Sequence, residues 1–362
     1  MIKTPLFEQH KKLSAKFAPF AGWQMPVQYS GIIDEHLYCR RAACLFDICH
    51  MGEFFLKADP EKSGMENIFL FSARVKDIPL KKCRYGVMLN QEGKIIDDLV
   101  IYRRASDEWM IVVNAATTGS DFRHIRANLN KGSLLQDRSD RIGKLDLQGP
   151  FSRDILAGLF GSAINKLRYY SFDYFDILGE KNIISRTGYT GELGYEIYIS
   201  SEKIAELWSF LLGDKRVHPA GLGARDTLRL EMGYVLYGRD ISEQTSPLEA
   251  GMEKMINLGK EFIGKSALID EKKAGVKKSL VAIRASSRRS PRHDYQIFNR
   301  DQKIGRVTSG GFSPSLGCGI ALGYVEPAEA KTNLPISIRN NSVIIEAVTT
   351  KRPFLKDTSL KK

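Results

Sequence analysis

No run of about 18 consecutive apolar residues occurs in this 362-residue chain, so the sequence predicts no membrane-spanning helix and no membrane partner. The first residues, Met1-Ile-Lys-Thr-Pro-Leu-Phe-Glu8, lack the apolar core of a secretory signal and the Arg/Ser-rich, acid-poor texture of a transit segment. A cytoplasmic location is expected. Cysteine is scarce and odd in number, at positions 39, 44, 49, 83 and 318, which argues for reduced thiols. The first three are spaced by five rather than as Cys-x-x-Cys, and the six histidines are scattered, so no metal site is expected. There is no nucleophile elbow, no Walker loop and no His-Glu-x-x-His, which leaves covalent hydrolysis, phosphoryl transfer and metal-dependent hydrolysis with little support. A Cys/His finger and an aromatic RNA-binding consensus are missing too, so nucleic acid is not an expected partner.

What is present is ordinary for a globular protein: 43% hydrophobic and 27% charged residues. The length suffices for two or three domains with a large core. Lysine and arginine exceed aspartate and glutamate by 54 to 42, a net charge of +12. That balance favours an acidic partner or an anionic ligand. The charge is spread in short clusters such as Lys272-Lys273, Lys277-Lys278, Arg288-Arg289 and Lys361-Lys362, which equally suits a solvated basic surface.

The first fifty residues read as a loop-rich entry and a helix over 31–43. Residues 44–56 read as one strand, 62–71 as a short helix, and 88–94 as a hairpin turn between strands. The strand 95–102 pairs with 109–114, and a helix follows over 119–128. A similar order recurs after residue 145. This β-β-α grammar predicts an α+β sheet with helices on one face. From Ser279 short apolar strands alternate with turns, the texture of a small all-β barrel. The charged stretch 271–278 is the expected linker.

Three segments carry chemistry. In Arg186-Thr-Gly-Tyr-Thr-Gly-Glu-Leu-Gly-Tyr-Glu196 the glycines fall at 188, 191 and 194. Glycine permits close backbone approach, tyrosine offers a flat face with a polar tip, and glutamate accepts paired N–H donors. The set suits a flat, N–H-rich heterocycle, or a glycine-rich turn between strands. In the strand 95–102, alternation puts Ile96, Asp98, Val100 and Tyr102 on one face, and Ile95, Asp97, Leu99 and Ile101 on the other. The second face belongs in the core, where Asp97 needs a partner. Asp98 faces a lined pocket, where a carboxylate can move protons or stabilise positive charge. The alternative is that both aspartates solvate the strand start. Gly221-Leu-Gly-Ala-Arg-Asp226 is a weak dinucleotide-loop match, without the final glycine or an evident preceding strand. Arg225 there is a candidate carboxylate ligand, or the partner of a nearby acid such as Asp226 or Glu231.

The order of motifs resembles one family over essentially the whole chain. Phe20-Ala-Gly-Trp-Gln-Met-Pro26, Phe46-Asp-Ile-Cys-His-Met-Gly-Glu53, Ile96-Asp-Asp-Leu99, Val113-Asn-Ala-Ala116 and Gln148-Gly-Pro150 come first. The segments 186–196, 221–231, 236–238, 246–251, 262–264 and 308–314 follow. In this spacing the chain resembles the aminomethyltransferases (T-proteins) of the glycine cleavage system. The resemblance implies an α+β fold of three domains, a cloverleaf around a central folate cavity, with a C-terminal β-barrel. The implied division is a folate-binding region over 1–275, made of two interleaved α+β subdomains (1–50 with 141–275, and 51–140), and a barrel over 279–362. It implies tetrahydrofolate as the one-carbon acceptor and a lipoylated H-protein as partner. The aminomethyl carbon becomes the 5,10-methylene group, and ammonia leaves. The family's catalytic aspartate falls on Asp98, and its pterin-holding glutamate on Glu196. The other folate contacts fall on Met51, Tyr85, Val100, Asn114, Tyr169 (exchangeable with Tyr170), Tyr189, Arg225 and Tyr234.

The chain departs from the family pattern at Lys94 (usually Gly), Cys49 (usually Ser), Leu193 (usually Asp) and Glu253-Lys254, where tryptophan is common. Rival readings are a folate-dependent demethylase of a small methylated compound, a non-catalytic folate-binding accessory protein, and a basic nucleic-acid module.

Overall fold

The computed structural model describes residues 1–341 and 343–361. Ser342, and Lys362 of the terminal lysine pair, lie outside the described residues. Most of the chain forms two α+β layers and a barrel. The first sheet has six strands in the spatial order Phe172–Ile177, Glu180–Ser185, Gly194–Ser200, Ile142–Gln148, Ala43–Asp47 and Val217–Pro219. The second has five, ordered Cys83–Leu89, Ile95–Arg103, Glu108–Val113, Gly52–Lys57 and Leu134–Asp137. The barrel closes through Ser279–Ala285, Cys318–Val325, Gln302–Ser313, Gln296–Asn299, Pro335–Asn340 and Val343–Thr350.

Strand alternation decides which face of each sheet the helices cover. In the first sheet Leu145, Leu147, Ile197 and Ile199 pack against Ile155 and Leu156 of the helix Ser152–Phe160, and against Ile204, Leu207, Trp208 and Leu211 of Ile204–Leu212. In the second, Leu99, Ile101, Trp109, Ile111 and Val113 meet Met65 and Ile68 of Met65–Ile68 and Ile125 of Thr118–Asn128. These helices cover the outer faces, but the first sheet departs from the expected helices on one face: Ile32–Arg41 and Leu222–Glu231 pack Cys39, Ala224 and Leu228 on Cys44 and Phe46 of its other face. The inner faces meet each other through a small core of Cys83, Tyr102, Met110 and Val112 from one sheet and Phe172, Ile183 and Tyr198 from the other. Several polar residues that alternate with the outer core, Asp98, Lys144 and Glu196 among them, line this interior.

Two differences from the sequence reading matter for the site. Residues 44–56 are not one strand: the chain leaves the first sheet at Asp47, turns through 48–51, and enters the second at Gly52. Apart from Asp47 and Gly52 the stretch is rich in strand-forming residues, and local preference does not reveal the change of sheet. The N-terminal entry also holds a three-stranded sheet of Ile2–Lys3, Trp23–Gln28 and Lys16–Phe20. Pro19 and Pro26 argue against strands there. They are tolerated because Pro19 lies on an edge strand, and Pro26 lies beyond the short pairing of Ile2 with Trp23 and Lys3 with Gln24. No described helix is long and apolar enough to cross a membrane. All five cysteines are free and buried.

Candidate active site

One cavity of about 840 Å³ lies where the inner sheet faces, the loop after Leu222–Glu231 and the barrel strand Gln302–Ser313 converge. The ten residues singled out from the sequence, Met51, Tyr85, Asp98, Val100, Asn114, Tyr169, Tyr189, Glu196, Arg225 and Tyr234, all line it, and Tyr170 lines it beside Tyr169. The turn that hands the chain between sheets places Met51. The inner face of Ile95–Arg103 places Asp98 and Val100, and Tyr85 pairs with Val100 from the adjacent strand.

Asp98 is held from two sides. Tyr85 donates its hydroxyl to Oδ2 at 2.8 Å, and Asn114 donates Nδ2–H to Oδ1 at 2.8 Å. Burial and the neighbouring Asp97 charge push Asp98 up to about 7, against these two hydrogen bonds. It is thus poised between charge states near neutral pH, which suits proton transfer. Asp97 faces the core as the alternation predicts and finds its partner in Asn114, whose backbone N–H and Nδ2–H donate to it at 3.1 and 2.9 Å.

Glu196 is buried on the facing sheet. Burial works to raise its carboxyl, but Lys144, Thr187 and Arg225 outweigh it and hold the group below the usual range. Lys144 Nζ lies 3.3 Å from one oxygen, and Thr187 donates to the other at 2.6 Å. Lys144 is a site residue that the sequence reading did not single out. Its signal was the run Lys144-Leu-Asp-Leu-Gln148, in which polar side chains alternate with core leucines. The same run supplies the partner of Arg225, which is Asp146 rather than Asp226 or Glu231. Arg225 also lies over the Tyr189 ring, 5.1 Å from its centroid, and Tyr189 stacks on Tyr234 at 5.9 Å. His50 joins the lining, with burial lowering its imidazole to about 4, so it is neutral at pH 7. Lys254 lines the cavity as well, while the adjacent Glu253 pairs outward with Lys272 at 2.9 Å.

The three regularly spaced glycines serve packing. A Cβ on Gly188 or Gly194 would come within 2.2 or 2.1 Å of the Gln148 amide, and Gly191 adopts a left-handed φ of +77° against Met232. Gln148 fills the inside of the turn, donating to Asp146 and the Thr187 carbonyl and accepting from Thr190. Glu192 ties the turn outward, to Arg40 at 2.8 Å and to the Ser359 N–H at 2.9 Å. Gly221 and Gly223 likewise press on the Val27 backbone and on Ile32. That segment follows a three-residue strand, Val217–Pro219, and packs against the protein itself rather than forming a phosphate loop. Among the described residues no group of three or more His, Cys, Asp or Glu side chains is placed to hold a metal ion.

Residues 6–260 match the GCVT N-terminal domain, and residues 278–356 match the glycine cleavage T-protein C-terminal barrel domain. The aminomethyltransferase of Halothermothrix orenii is 42% identical over 361 residues, covering 98% of this chain and 100% of its own length. That of Listeria innocua is 40% identical, covering 98% of each chain. The crystal structure of glycine cleavage system aminomethyltransferase T from Bartonella henselae superposes with a TM-score of 0.90 at 32% identity, again over 98% of both chains. With two domain models and full-length relatives in agreement, the chain belongs to the glycine cleavage T-protein family.

Proposed function

We propose that this chain is an aminomethyltransferase of glycine cleavage. It passes the one-carbon unit of an aminomethyl group, carried on the lipoyl arm of an H-protein, to tetrahydrofolate, giving the 5,10-methylene form and ammonia. The observation that carries the reading is Asp98, a carboxylate held between Tyr85 and Asn114 in the wall of the central cavity. The full-length similarity to aminomethyltransferases supports the reaction class. The accompanying domain division (1–50 with 141–275, 51–140, and 279–362) is supported by the residue ranges of the two sheets and the barrel.

The cavity suits the substrate. Its volume of about 840 Å³ lies within the usual range for sites that enclose a drug-sized ligand. Tyr169, Tyr189 and Tyr234 provide flat faces for a heterocycle, with Met51 and Val100 as apolar wall. Glu196, kept ionised by Lys144 and Thr187, offers an acceptor to pterin N–H groups. Arg225, neutralised by Asp146, contributes its remaining N–H donors.

The site also suits the chemistry. The transferred carbon is bonded to nitrogen and to sulfur. The reaction breaks both bonds and forms two bonds to folate nitrogens. The two protons lost by those nitrogens end on the sulfur and on the departing amine. Loss of either leaving group puts positive charge on the carbon, and a fixed carboxylate stabilises that charge more in a dry wall than in water. Asp98 is the group placed to do so and to relay a proton. Holding two large carriers in register supplies much of the remaining acceleration.

Aminomethylated, lipoylated H-protein should release ammonia on this chain only when tetrahydrofolate is present. Ammonia release independent of tetrahydrofolate, or turnover of small methylated amines in place of H-protein, would overturn the reading.

A further inference from the structure

On the core side of the strand that carries Asp98, two carboxylates meet. Asp97 and Asp121 are each fully buried. Asp121 belongs to the first turn of the helix Thr118–Asn128 and lies at hydrogen-bond range of Asp97. Among the described residues neither Asp121 oxygen has a hydrogen-bond donor; the nearby Thr117 hydroxyl, within reach of both carboxylates, donates instead to the Asn114 carbonyl at 3.1 Å. Among the described residues no lysine, arginine or histidine forms an ion pair with either carboxylate. The titratable groups facing the pair are Asp98 on the same strand, Tyr85 bonded to it from the next strand, and Tyr237 from the loop beyond Leu222–Glu231. All of these are acids, and none brings a counter-charge.

Two ionised carboxylates do not share a buried contact without a cation. One proton between them satisfies both: one carboxyl donates and the other accepts. The acceptor is Asp97, because its oxygens also take the backbone N–H and the Nδ2–H of Asn114. The other hydrogen of that same carboxamide goes to Asp98 Oδ1 at 2.8 Å. The contacts therefore run from Asp121 through Asp97 and Asn114 to Asp98.

We propose that Asp121 carries a proton at neutral pH and donates it to Asp97, and that it thereby acts as a positioning residue: it holds Asp97 as an anionic acceptor, fixes the Asn114 carboxamide, and so aims the carboxylate of Asp98. The positioning role rests on the function given to Asp98 above; the proton does not. Burial and the Asp97 charge raise Asp121 well above the carboxylate range, in keeping with this placement. The arrangement also keeps a negative charge next to Asp98, which opposes its ionisation.

Infrared difference spectra of the intact protein and of Asp121→Asn at neutral pH test the proton directly. A protonated-carboxyl band should be present in the parent and lost in the variant. Glu53 and Asp98, which are pushed up to about 8 and about 7, are common to both and cancel, since the Asn variant leaves the Asp98 midpoint in place. No lost band overturns the proposal. In the folate-dependent assay Asp121→Asn, which still offers an N–H to Asp97, should keep kcat within about threefold and leave the pH midpoint of kcat/KM in place, whereas Asp121→Ala should lower kcat by about 10- to 100-fold with little change in tetrahydrofolate Kd. The Asp121→Ala midpoint should also move down, because Asp97 then takes up a proton itself and stops opposing ionisation of Asp98. An Asp121→Ala variant with parental kcat and midpoint overturns the positioning role. If that variant does not fold, the band and the Asp121→Asn kinetics decide. A parent that shows the band without folate-dependent ammonia release removes the proposed function and leaves the shared proton standing.

Discussion

Asp98 and Glu196 face each other across the cavity with opposite titration behaviour, and their variants should separate chemistry from binding. Asp98→Asn keeps the shape and both hydrogen-bond neighbours but removes the charge. It should retain tetrahydrofolate affinity by calorimetry and lose about 10²- to 10⁴-fold in turnover. The ionised form does the work and burial sets its midpoint at about 7, so kcat/KM should rise as pH increases through about 7 and fall below it. Glu196→Gln should instead weaken tetrahydrofolate binding by about tenfold or more, the scale of one charge-assisted hydrogen bond. It also strands the buried Lys144 ammonium, a loss of about 3–5 kcal/mol in unfolding free energy. Adding Lys144→Met should recover much of that stability without restoring affinity, which calorimetry and denaturant unfolding would show together. At this scale Asp98 is legible from alternation along one strand. Glu196 and Lys144 are each legible as polar residues facing inward, but their pairing across adjacent strands is not.

The turn 186–196 joins both readings of its composition: it is a glycine-rich turn between strands, and its Tyr189 and Glu196 line the cavity. Its glycine spacing suggested close approach to a ligand, and close approach is what the glycines provide, but to the Gln148 side chain. Gly188 has no left-handed φ, so Gly188→Ala tests sterics alone. Gln148 is held by Asp146, Thr187 and Thr190 and cannot swing aside freely. The substitution should cost about 1–3 kcal/mol of unfolding free energy in urea melts, the range for overpacking, and Gln148→Ala should recover part of it. A Gly188→Ala protein as stable as the parent would contradict this packing. The strand Ile95–Arg103 was readable because it alternates over a helix-covered core, and Glu108–Val113 because it is a short continuous apolar run buried on both faces. The break at residues 48–51 was not readable, because both halves carry strand-like side chains and only the partner sheet differs.

Across the whole molecule, a buried ion-pair cluster in the first α+β body reaches the barrel through Glu231. Arg40, on the helix Ile32–Arg41, holds Glu192 of the turn and Glu231 at the end of Leu222–Glu231, each at 2.8 Å. Glu231 also accepts from Ser313 and Ser315 at the barrel, at 2.5 and 2.9 Å. Burial works to raise Glu231, but His36, Arg40 and Ser313 outweigh it and hold it at about 2. Burial lowers His36 itself, so near neutral pH it is a neutral donor and Arg40 supplies the charge. The folded-state value lies below the ordinary 4.5. This contribution to stability is therefore complete above about pH 4.5 and is lost as pH falls toward about 2. Glu231→Gln should flatten that part of the stability curve in urea titrations. Arg40→Ala should cost about 3–5 kcal/mol at neutral pH by stranding two buried carboxylates, and an unfolding midpoint unchanged from the parent would rule out this cluster.

The sequence by itself determined what depends on short range. Period-two alternation assigned the two faces of the strand 95–102, the texture beyond Ser279 announced the barrel, and ordered motifs carried the family and the ten lining residues. Tertiary structure decided what depends on contacts between distant segments. It set Asp146 rather than a helix neighbour against Arg225, brought Lys144 to Glu196, turned the chain from one sheet to the other at Met51, and placed Asp121 behind Asp97. Alternation tells a side chain which way to face, but its charge state is set by the groups that other strands and helices bring within a few ångströms.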